Sequence, residues 1–590
     1  MRPPPNIWPD TPAGQGTLFV AQVMQALLSE QIFESFRAYS LDTLARLREV
    51  DSLSEDVRLS RVKPAAMDAV LEELIWSLSG DAAIRIIAPE EQELLINYCK
   101  APGWTTETLQ RLVRMLLNRT APVYRTTLRD IVVANVSQPN RRGDLLNVTG
   151  LLVSHLINDG HSRRFLAQRV EERFFSAPMR RVGPATVRAF IDGISAERRR
   201  YVVICSVTPG TGRLLERVGT FDLNELRNLP PHARRAIRKL SDYDPKNEYV
   251  VADVTAADGY KAVSQLHDRL SSLRAFMIVP IKRLDVHWSH NSYVYTPRAA
   301  GGSVLSRENS FALGHAPAAR LLGRRLRQIA LIPQQIESNF DGESRERLLS
   351  ALSTAAVSLE TELSETRLIS LWSAFEVLLS DPQPGEARIV HYVRNLAPCI
   401  TAKYHRRLFA AVHEQLWAAF HKRVQKILDR IDHPVPAEQV TRLVKLITLP
   451  QHEDERAELL KACSSSPLAM HRLFRLHKYY GTPFAVRKSL EKHDKRVRWQ
   501  LYRIYRARNN LVHAGAPPPF LDPLAQNALE YFRTAIIGIV KRSTVREGPH
   551  NIDQLVFEAG VDWDIQLRIL GQCPAKADFD VDMVNRIFSP

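Results

Sequence analysis

Apolar residues at helical spacing run through most of this 590-residue chain and restrict it to a mainly helical fold. The clearest stripe follows Ser364, where six apolar side chains keep the i, i+3, i+4, i+7 spacing: Leu368, Leu371, Trp372, Phe375, Leu378 and Leu379. Pro382 and Pro384 end this helix, because proline has no backbone N–H with which to continue it. Comparable stripes from about residue 16 to 178 and from about 304 to 545 predict helices in both regions.

One part of the chain, between about residues 183 and 300, has a different pattern. It contains five short runs rich in β-branched or aromatic residues, which are typical of strands: Tyr201–Ile204, Val218–Phe221, Tyr249–Ala252, Phe276–Val279 and Tyr293–Tyr295. A helical segment, Lys261–Leu273, lies between the third run and the fourth. We therefore expect a small α/β or α+β domain here, ending at the loop Ala299–Ser303.

The length of the chain requires several domains, because single cores rarely grow beyond about 250 residues. We predict an α+β multidomain protein that is mainly α. Its expected parts are a disordered tail at 1–15, a helical domain at 16–182, the small α/β or α+β domain at 183–303, a helical domain at 304–545 and a C-terminal appendage at 546–590.

The charge balance is the unusual part of the composition. Lys and Arg number 80 and Asp and Glu number 64, a formal net charge of +16 with a pI of about 9.7. This excess favours a polyanionic partner such as nucleic acid, although basic proteins of membrane surfaces share it.

The remaining composition indicates a soluble protein of a reducing compartment. The five cysteines are far apart, and no pair has the short spacing of a zinc or redox motif. The Pro-rich N-terminus lacks the apolar segment of a signal peptide, and no run of 18 apolar residues occurs. We expect a cytoplasmic protein without a membrane partner, a metal or a cofactor.

The segment whose side chains best suit catalysis is Arg506–Gly515. In it, Asn509 follows Arg508 directly and His513 lies five residues beyond Arg508. Gly515 and the prolines that follow it stop the helix there. An Arg followed by a His after five or six positions is common in this chain. It also occurs at Arg407/His413, Arg472/His477 and Arg487/His493. The Asn and the helix stop give the stretch its specificity.

With these residues the chain resembles the HEPN superfamily, and within it the Apea-like HEPN ribonucleases, whose signature is Arg-Asn-x-x-x-His near the end of a late helix. Their second mark is an earlier helix of the form Leu-Trp-x-Ala-(apolar)-Glu-x-Leu, for which this chain has Leu371–Leu378. The resemblance covers about residues 340 to 545. The long interval between the two marks implies extra helices at about 404 to 490.

The resemblance implies an all-α bundle that dimerises, so that two motif helices line one cleft. It also implies metal-independent cleavage of RNA, in which the ribose 2′-OH attacks the adjacent phosphorus. Arg508, Asn509 and His513 would be the catalytic set and Glu376 a supporting acid. Many relatives act as toxins or in defence against phage.

Helical projection adds an independent interpretation of the same residues. It predicts a buried stripe of Val497, Leu501, Ile504, Tyr505, Leu511 and Val512. Arg508 projects from this stripe and needs a carboxylate, for which Glu376 is a candidate. Arg506 shares the face of His513 and is expected to contact phosphate, while Asn509, four residues before His513, is expected to orient its ring.

The helix leading into the motif predicts contact with RNA. Residues 487 to 508 include nine Lys or Arg and two acids, with aromatic residues interleaved. We expect Arg498, Trp499, Tyr502 and Arg503 to bind RNA.

These observations favour a dimeric endoribonuclease whose N-terminal region binds a trigger or regulatory partner. One alternative is a non-catalytic scaffold that binds nucleic acid or dimerises. Another is a toxin that acts only with a separate partner.

Overall fold

The computed structural model describes most of the chain: residues 8, 10–29, 33–176, 182–195, 197–219, 221–240, 242–276, 286–307, 323–361, 363–432, 439–515, 517–518, 520–545 and 547–588. It divides into two compact units. The larger unit comprises Met1–Leu152, Pro178–Ala185 and Phe311–Pro590, and the smaller comprises Val153–Ala177 and Thr186–Ser310. The described chain is mainly helical with one small antiparallel sheet, as the sequence predicts.

The first part of the chain consists of helices, several of which start at a polar capping residue. The side chain of Asp42 accepts a hydrogen bond from the N–H of Ala45, and that of Thr11 accepts one from Gly14. The helices are α1 (Pro12–Leu28), α2 (Thr43–Arg58), α3 (Asp68–Gly80), α4 (Ala82–Ile87), α5 (Pro89–Lys100), α6 (Thr106–Thr120), α7 (Tyr124–Asn135) and α8 (Arg142–Asn158). Helix α1 therefore starts inside the segment predicted to be a disordered tail.

The smaller unit is built on a five-stranded antiparallel sheet with strand order β2-β3-β1-β4-β5. Central strand β1 places Val203 opposite Ala252 of β3 and Val294 of β4. The elements in this part of the chain are α9 (Arg163–Val170), α10 (Pro184–Asp192), β1 (Arg199–Val207), α11 (Pro209–Val218), β2 (Asp222–Asn224), α12 (Pro231–Ile237), β3 (Glu248–Ala256), α13 (Gly259–Phe276), β4 (Trp288–Tyr295) and β5 (Ser303–Ser306). Apolar residues on both faces of the sheet form cores, so the unit is α+β.

Three details of the predicted strands differ from the structure. The run at 218–221 precedes its strand, because Gly219 ends α11 in the left-handed conformation and β2 begins at Asp222. Phe276 belongs to α13, and residues 277–279 of that predicted strand lie outside the described residues. The predicted boundary at 303 lies at the start of β5, which pairs with β4.

The rest of the larger unit contains the helices that carry the motif. They are α14 (Gly323–Asn339), α15 (Gly342–Glu360), α16 (Ser364–Leu378), α17 (Arg388–Thr401), α18 (Tyr404–Leu428), α19 (Gln439–Thr448), α20 (Glu453–Ala462), α21 (Pro467–Tyr480), α22 (Pro483–Ala514), α23 (Leu521–Ser543), α24 (Ile552–Gln572) and α25 (Val581–Ile587). Helices α15, α16, α17, α23 and α24 share one core with the second half of α22. Helices α18 to α21 form a second core, and they are the extra helices expected between the two sequence marks.

Two predicted domain boundaries are drawn differently by this packing. The segment predicted as an appendage supplies Ile552 and Leu555 to the first core and Trp563 and Phe588 to the second. Of the predicted N-terminal helical domain, helices α1 to α7 belong to the same compact unit as the motif helix, whereas Val153–Ala177 belongs to the smaller unit. Among the described residues, no helix is long and apolar enough to cross a membrane.

Candidate active site at the end of helix α22

Helix α22 is fixed at both ends by local sequence. Thr482 caps its start by accepting a hydrogen bond from the N–H of Ala485, and Pro483 occupies the first turn. Gly515 ends it with φ of 62°, in the left-handed conformation that glycine adopts without strain. The Arg-Asn-x-x-x-His motif therefore occupies the final turns of the helix.

Arg508 and Glu376 form an ion pair between α22 and α16, which confirms the predicted partnership. Arg508 Nη2 donates to Glu376 Oε2 at 3.3 Å, and the two side chains are 22% and 23% exposed. The indole of buried Trp372 donates to the other oxygen of Glu376 at 3.0 Å, and its ring lies 5.3 Å from that of Tyr505. The carboxylate is thus oriented by two donors and in turn fixes the guanidinium.

The guanidinium of Arg508 has a donor that the described residues do not use. Its Nη1 donates to Asn509 Oδ1 at 3.1 Å. Its Nε is buried and has no hydrogen-bond acceptor within the described part of the chain. A buried donor without an acceptor is costly, and an added oxyanion would satisfy it.

His513 lies in the last turn of α22 with its side chain exposed. In the described regions its imidazole forms no hydrogen bond or ion pair with another residue. The expected contact with Asn509 is absent there too, and the side-chain amide oxygen of Asn509 instead accepts from Arg508. The prediction that Asn509 orients His513 within one chain is therefore wrong. Val512, predicted to be buried, is 47% exposed beside His513.

The environment of His513 differs from that of the other histidines that follow an arginine by five or six residues. His493 is buried and stacks on Tyr404 with ring centroids 3.5 Å apart, and burial holds its pKa well below the usual range. Burial also lowers the pKa of His413. His477 is exposed, but its Nδ1 lies 3.0 Å from the carbonyl oxygen of Ile447.

Much of the basic face predicted to bind RNA is covered by acids from the N-terminal helices. Arg503 is 2% exposed, and its Nε and Nη2 donate to Glu49 of α2 at 2.9 and 2.8 Å. It also pairs with Glu73 of α3, which accepts from Arg46 as well. This network ties α2 and α3 to the motif helix.

Arg506 has the same acidic partner. Its Nη2 donates to Glu49, and its side chain is 14% exposed. Burial opposes the charge of Glu49, but the positive charges of Arg503 and Arg506 outweigh it and lower the pKa of Glu49 to about 2. The guanidinium expected to contact phosphate is thus held inside the protein in this conformation.

The remaining predicted RNA-binding residues have mixed environments. Trp499 is buried, and its indole donates to Glu72 at 2.8 Å. Arg498 is 35% exposed and pairs with Asp494 at 2.6 Å within the helix. Tyr502 is half-buried. Of the four, Arg498 and Tyr502 retain access to solvent.

Sequence reasoning missed Glu49 and Glu73 as partners of α22. One signal for them was present, because each lies beside apolar residues in its helix: Glu49 between Leu47 and Val50, and Glu73 between Leu71 and Leu74. A carboxylate inside such a stripe must find a buried cation. The identity of that cation, more than 400 residues away, cannot be read from one sequence.

Within the described ranges, no group of three or more His, Cys, Asp or Glu side chains is arranged to hold a metal ion. In comparisons with known proteins, no family model, no curated protein and no solved structure matches the chain.

Proposed function

We propose that this protein is an endoribonuclease of the HEPN type, with Arg508 and His513 as catalytic residues. One observation carries the proposal: an arginine fixed by a carboxylate lies one to two turns before an exposed histidine at a helix stop. The arginine can neutralise a phosphate, and the histidine can transfer a proton near neutral pH.

The proposed reaction is an internal transfer of the phosphoryl group. The imidazole of His513 takes the proton of the ribose 2′-OH, and the 2′-oxygen forms a bond to the adjacent phosphorus. The bond from phosphorus to the 5′-oxygen breaks, and an imidazolium protonates that leaving oxygen. The products are a 2′,3′-cyclic phosphate and a 5′-OH. Arg508 stabilises the extra negative charge on the pentacoordinate phosphorus.

The proposed site is completed by a second copy of the chain. Arg508 and His513 are five residues apart, which separates them by about 140° around a regular helix. One chain therefore presents them on different flanks. In a dimer with two motif helices side by side, Arg508 of one chain faces His513 of the other, and the two histidines divide the roles of base and acid.

The other motif residues have supporting roles in this proposal. Glu376 orients Arg508, and Asn509 acts as a second brace on the same guanidinium. Arg498 and Tyr502 supply contacts to RNA from the solvent side of α22. Arg503, Arg506 and Trp499 join the motif helix to the N-terminal helices, which gives that region a physical route for regulation by a trigger. A cytoplasmic toxin or phage-defence effector fits this arrangement.

The test compares His513→Ala with His477→Ala, because His477 is also exposed and also follows an arginine by five residues. Each full-length protein is incubated with a random-sequence 20-nucleotide RNA in EDTA, and product ends are identified by mass spectrometry. We expect cyclic-phosphate ends with the wild type and His477→Ala, and at least a hundredfold loss with His513→Ala, in line with the usual contribution of proton transfer. Equal RNA integrity with wild type and His513→Ala would contradict the proposal.

The alternative is a scaffold protein that binds nucleic acid or dimerises without cleaving RNA. The burial of Arg503 and Trp499 favours this alternative, because buried residues give part of the basic face a structural role. A scaffold would leave the length of the RNA unchanged in that assay and would retard the same RNA in a gel.

A further inference from the structure

A second basic cluster lies on the larger unit, nearer the middle of α22. It consists of Tyr39, which precedes α2, Arg475 of α21, and Lys492 and Arg496, one turn apart on α22. Hereafter these four residues are the Tyr39 cluster. Arg496 and His513 are separated by 17 positions in the sequence, which is about 25 Å along a helix. The cluster is therefore a different place from the motif.

Aromatic rings hold the guanidinium of Arg496. Its Nη2 donates to the phenol oxygen of Tyr39 at 3.2 Å. Its central carbon lies 5.5 Å from the ring centroid of Tyr39 and 4.9 Å from that of Trp76. Its Nε is buried, with no hydrogen-bond acceptor among the residues that the structure describes. The charge is fixed in place, and one donor is unused.

The cations of this cluster lack the acidic partners that their neighbours have. Lys495 and Arg503, on the same helix, pair with Glu72 and with Glu49 and Glu73. In contrast, no described carboxylate forms an ion pair with Arg475, Lys492 or Arg496. The cluster is therefore a concentration of positive charge without a counter-ion from the described part of the chain.

The positive charges of the cluster lower the pKa values of Tyr39 and Lys492. Burial works to raise the pKa of Tyr39, but Arg496, Lys492, Arg46 and Arg475 outweigh it and lower that pKa. Burial, Arg496 and Arg475 lower the pKa of Lys492. The cluster is nevertheless open to solvent, because Tyr39 is 37% exposed and the Lys492 side chain is exposed. An anion bound here would relieve this repulsion.

We propose that Tyr39, Arg475, Lys492 and Arg496 bind the phosphate group of a nucleotide. Phosphate oxygens accept several hydrogen bonds at once, which suits two guanidinium groups, an ammonium and a phenol. The nucleotide is either free or part of an RNA strand, since both present the same group. The site is separate from RNA cleavage at the motif and does not depend on it.

The experiment measures binding to the full-length protein carrying His513→Ala, so that any RNA stays intact. AMP, ATP and pyrophosphate are titrated calorimetrically, and a 20-nucleotide single-stranded RNA is followed by fluorescence anisotropy. Lys492→Gln and Arg475→Gln are compared with Lys461→Gln, which removes an equal charge from an exposed position on α20. Circular dichroism and the urea midpoint check that each variant is folded.

We expect Lys492→Gln and Arg475→Gln each to weaken binding about tenfold, the factor that corresponds to 1.4 kcal/mol, with Lys461→Gln unchanged. A loss seen with AMP or ATP identifies a free nucleotide, and a loss seen only with RNA identifies the strand. Absence of binding by every probe at millimolar concentration, or an equal loss in Lys461→Gln, would overturn the site. RNA cleavage measured without His513→Ala reports on the proposed function separately.

Discussion

The carboxylate of Glu49 holds two arginines of the motif helix, and this contact decides how α22 is supported. Glu49 and Arg503 are almost completely buried, with side chains 6% and 2% exposed. A buried ion pair is weak evidence of net stabilisation, but removal of one partner leaves a buried charge without compensation. Single residues of this network are therefore sensitive positions.

We predict that Glu49→Gln destabilises the protein by about 3 kcal/mol, toward the lower end for a broken buried pair because Glu73 still contacts Arg503. Glu72→Gln is the matched control, since Glu72 is 49% exposed where it pairs with Lys495, and about 0 to 1 kcal/mol is expected. Urea unfolding followed by tryptophan fluorescence compares the two. Similar midpoints for both variants would contradict a buried role for Glu49.

The same carboxylate predicts a pH dependence of stability. Its pKa in the folded protein is about 2, below the ordinary 4.5, so its stabilising contribution is complete above pH 4.5. That contribution is lost as pH falls from 4.5 toward 2 and amounts to about 3 kcal/mol, since one pKa unit is 1.36 kcal/mol. Urea midpoints between pH 6 and pH 3 should fall less steeply for Glu49→Gln than for the wild type. Parallel slopes would count against the assignment.

Single residues also mark the limit of prediction from sequence. The pair Arg508 and Glu376 was predictable because both lie at defined angles on two recognisable helices. The pair Arg503 and Glu49 was not, because nothing local to α22 indicates which distant helix covers it. Arg503 and Arg506 were expected to face RNA because the helix carries many positive charges. The acids that pack against the helix from elsewhere in the chain could not be included in that expectation.

Among the elements, α22 is the one whose end defines the candidate site. Its last turn ends at Gly515, which has a φ of 62°. A Cβ at this position would meet no atom within 4 Å, so only backbone strain opposes a larger residue there. The position of His513 therefore depends on a backbone conformation that other residues rarely adopt.

We predict that Gly515→Ala lowers stability by about 1 kcal/mol, the cost of a left-handed alanine, and lowers RNA cleavage because His513 shifts. Gly560→Ala is the opposite control, because Gly560 lies inside α24 with open space around it. A gain of about 0.5 to 1 kcal/mol is expected there. Chemical unfolding measures the change in the free energy of unfolding of both variants. A gain in stability with Gly515→Ala would refute the role of this cap.

Helices and strands were predictable where neighbouring residues in the sequence determine them. The stop at Gly515 and the predicted helical segment Lys261–Leu273 depend on a few neighbouring residues. Both are confirmed, the segment as part of the longer helix Gly259–Phe276. The short strand Ser303–Ser306 was not predicted: Ser303 was assigned to the boundary loop and residues 304–306 to the helical domain. The strand is defined by its pairing with β4 rather than by its own composition.

For the whole molecule, the proposed composite site requires two chains. In that proposal the side chain of Val512, which is exposed beside His513, lies against the second copy.

Sedimentation equilibrium should therefore give twice 67.0 kDa at micromolar concentration. Val512→Asp should yield a folded monomer that does not cleave RNA. Val545→Asp, which changes an equally apolar side chain with 79% exposure outside the motif, should stay dimeric. A wild-type monomer that cleaves RNA would exclude the composite site.

The arrangement of the whole chain was the least predictable from sequence. Helices α1 to α7 and the C-terminal segment were predicted as separate regions, yet both belong to the unit that carries the motif. Such packing depends on pairing between helices hundreds of residues apart, which periodicity within a helix cannot reveal.

The central claim is that RNA is cut by attack of its own 2′-oxygen, with His513 moving the proton. The most direct test uses a single-stranded RNA that the wild type cuts at one mapped bond, and the same RNA with 2′-deoxyribose at the nucleotide that supplies the 2′-OH. Product ends are analysed by mass spectrometry. We expect a cyclic phosphate at the mapped bond and complete resistance of that bond after the 2′-deoxy substitution. Continued cleavage of the substituted bond would contradict it.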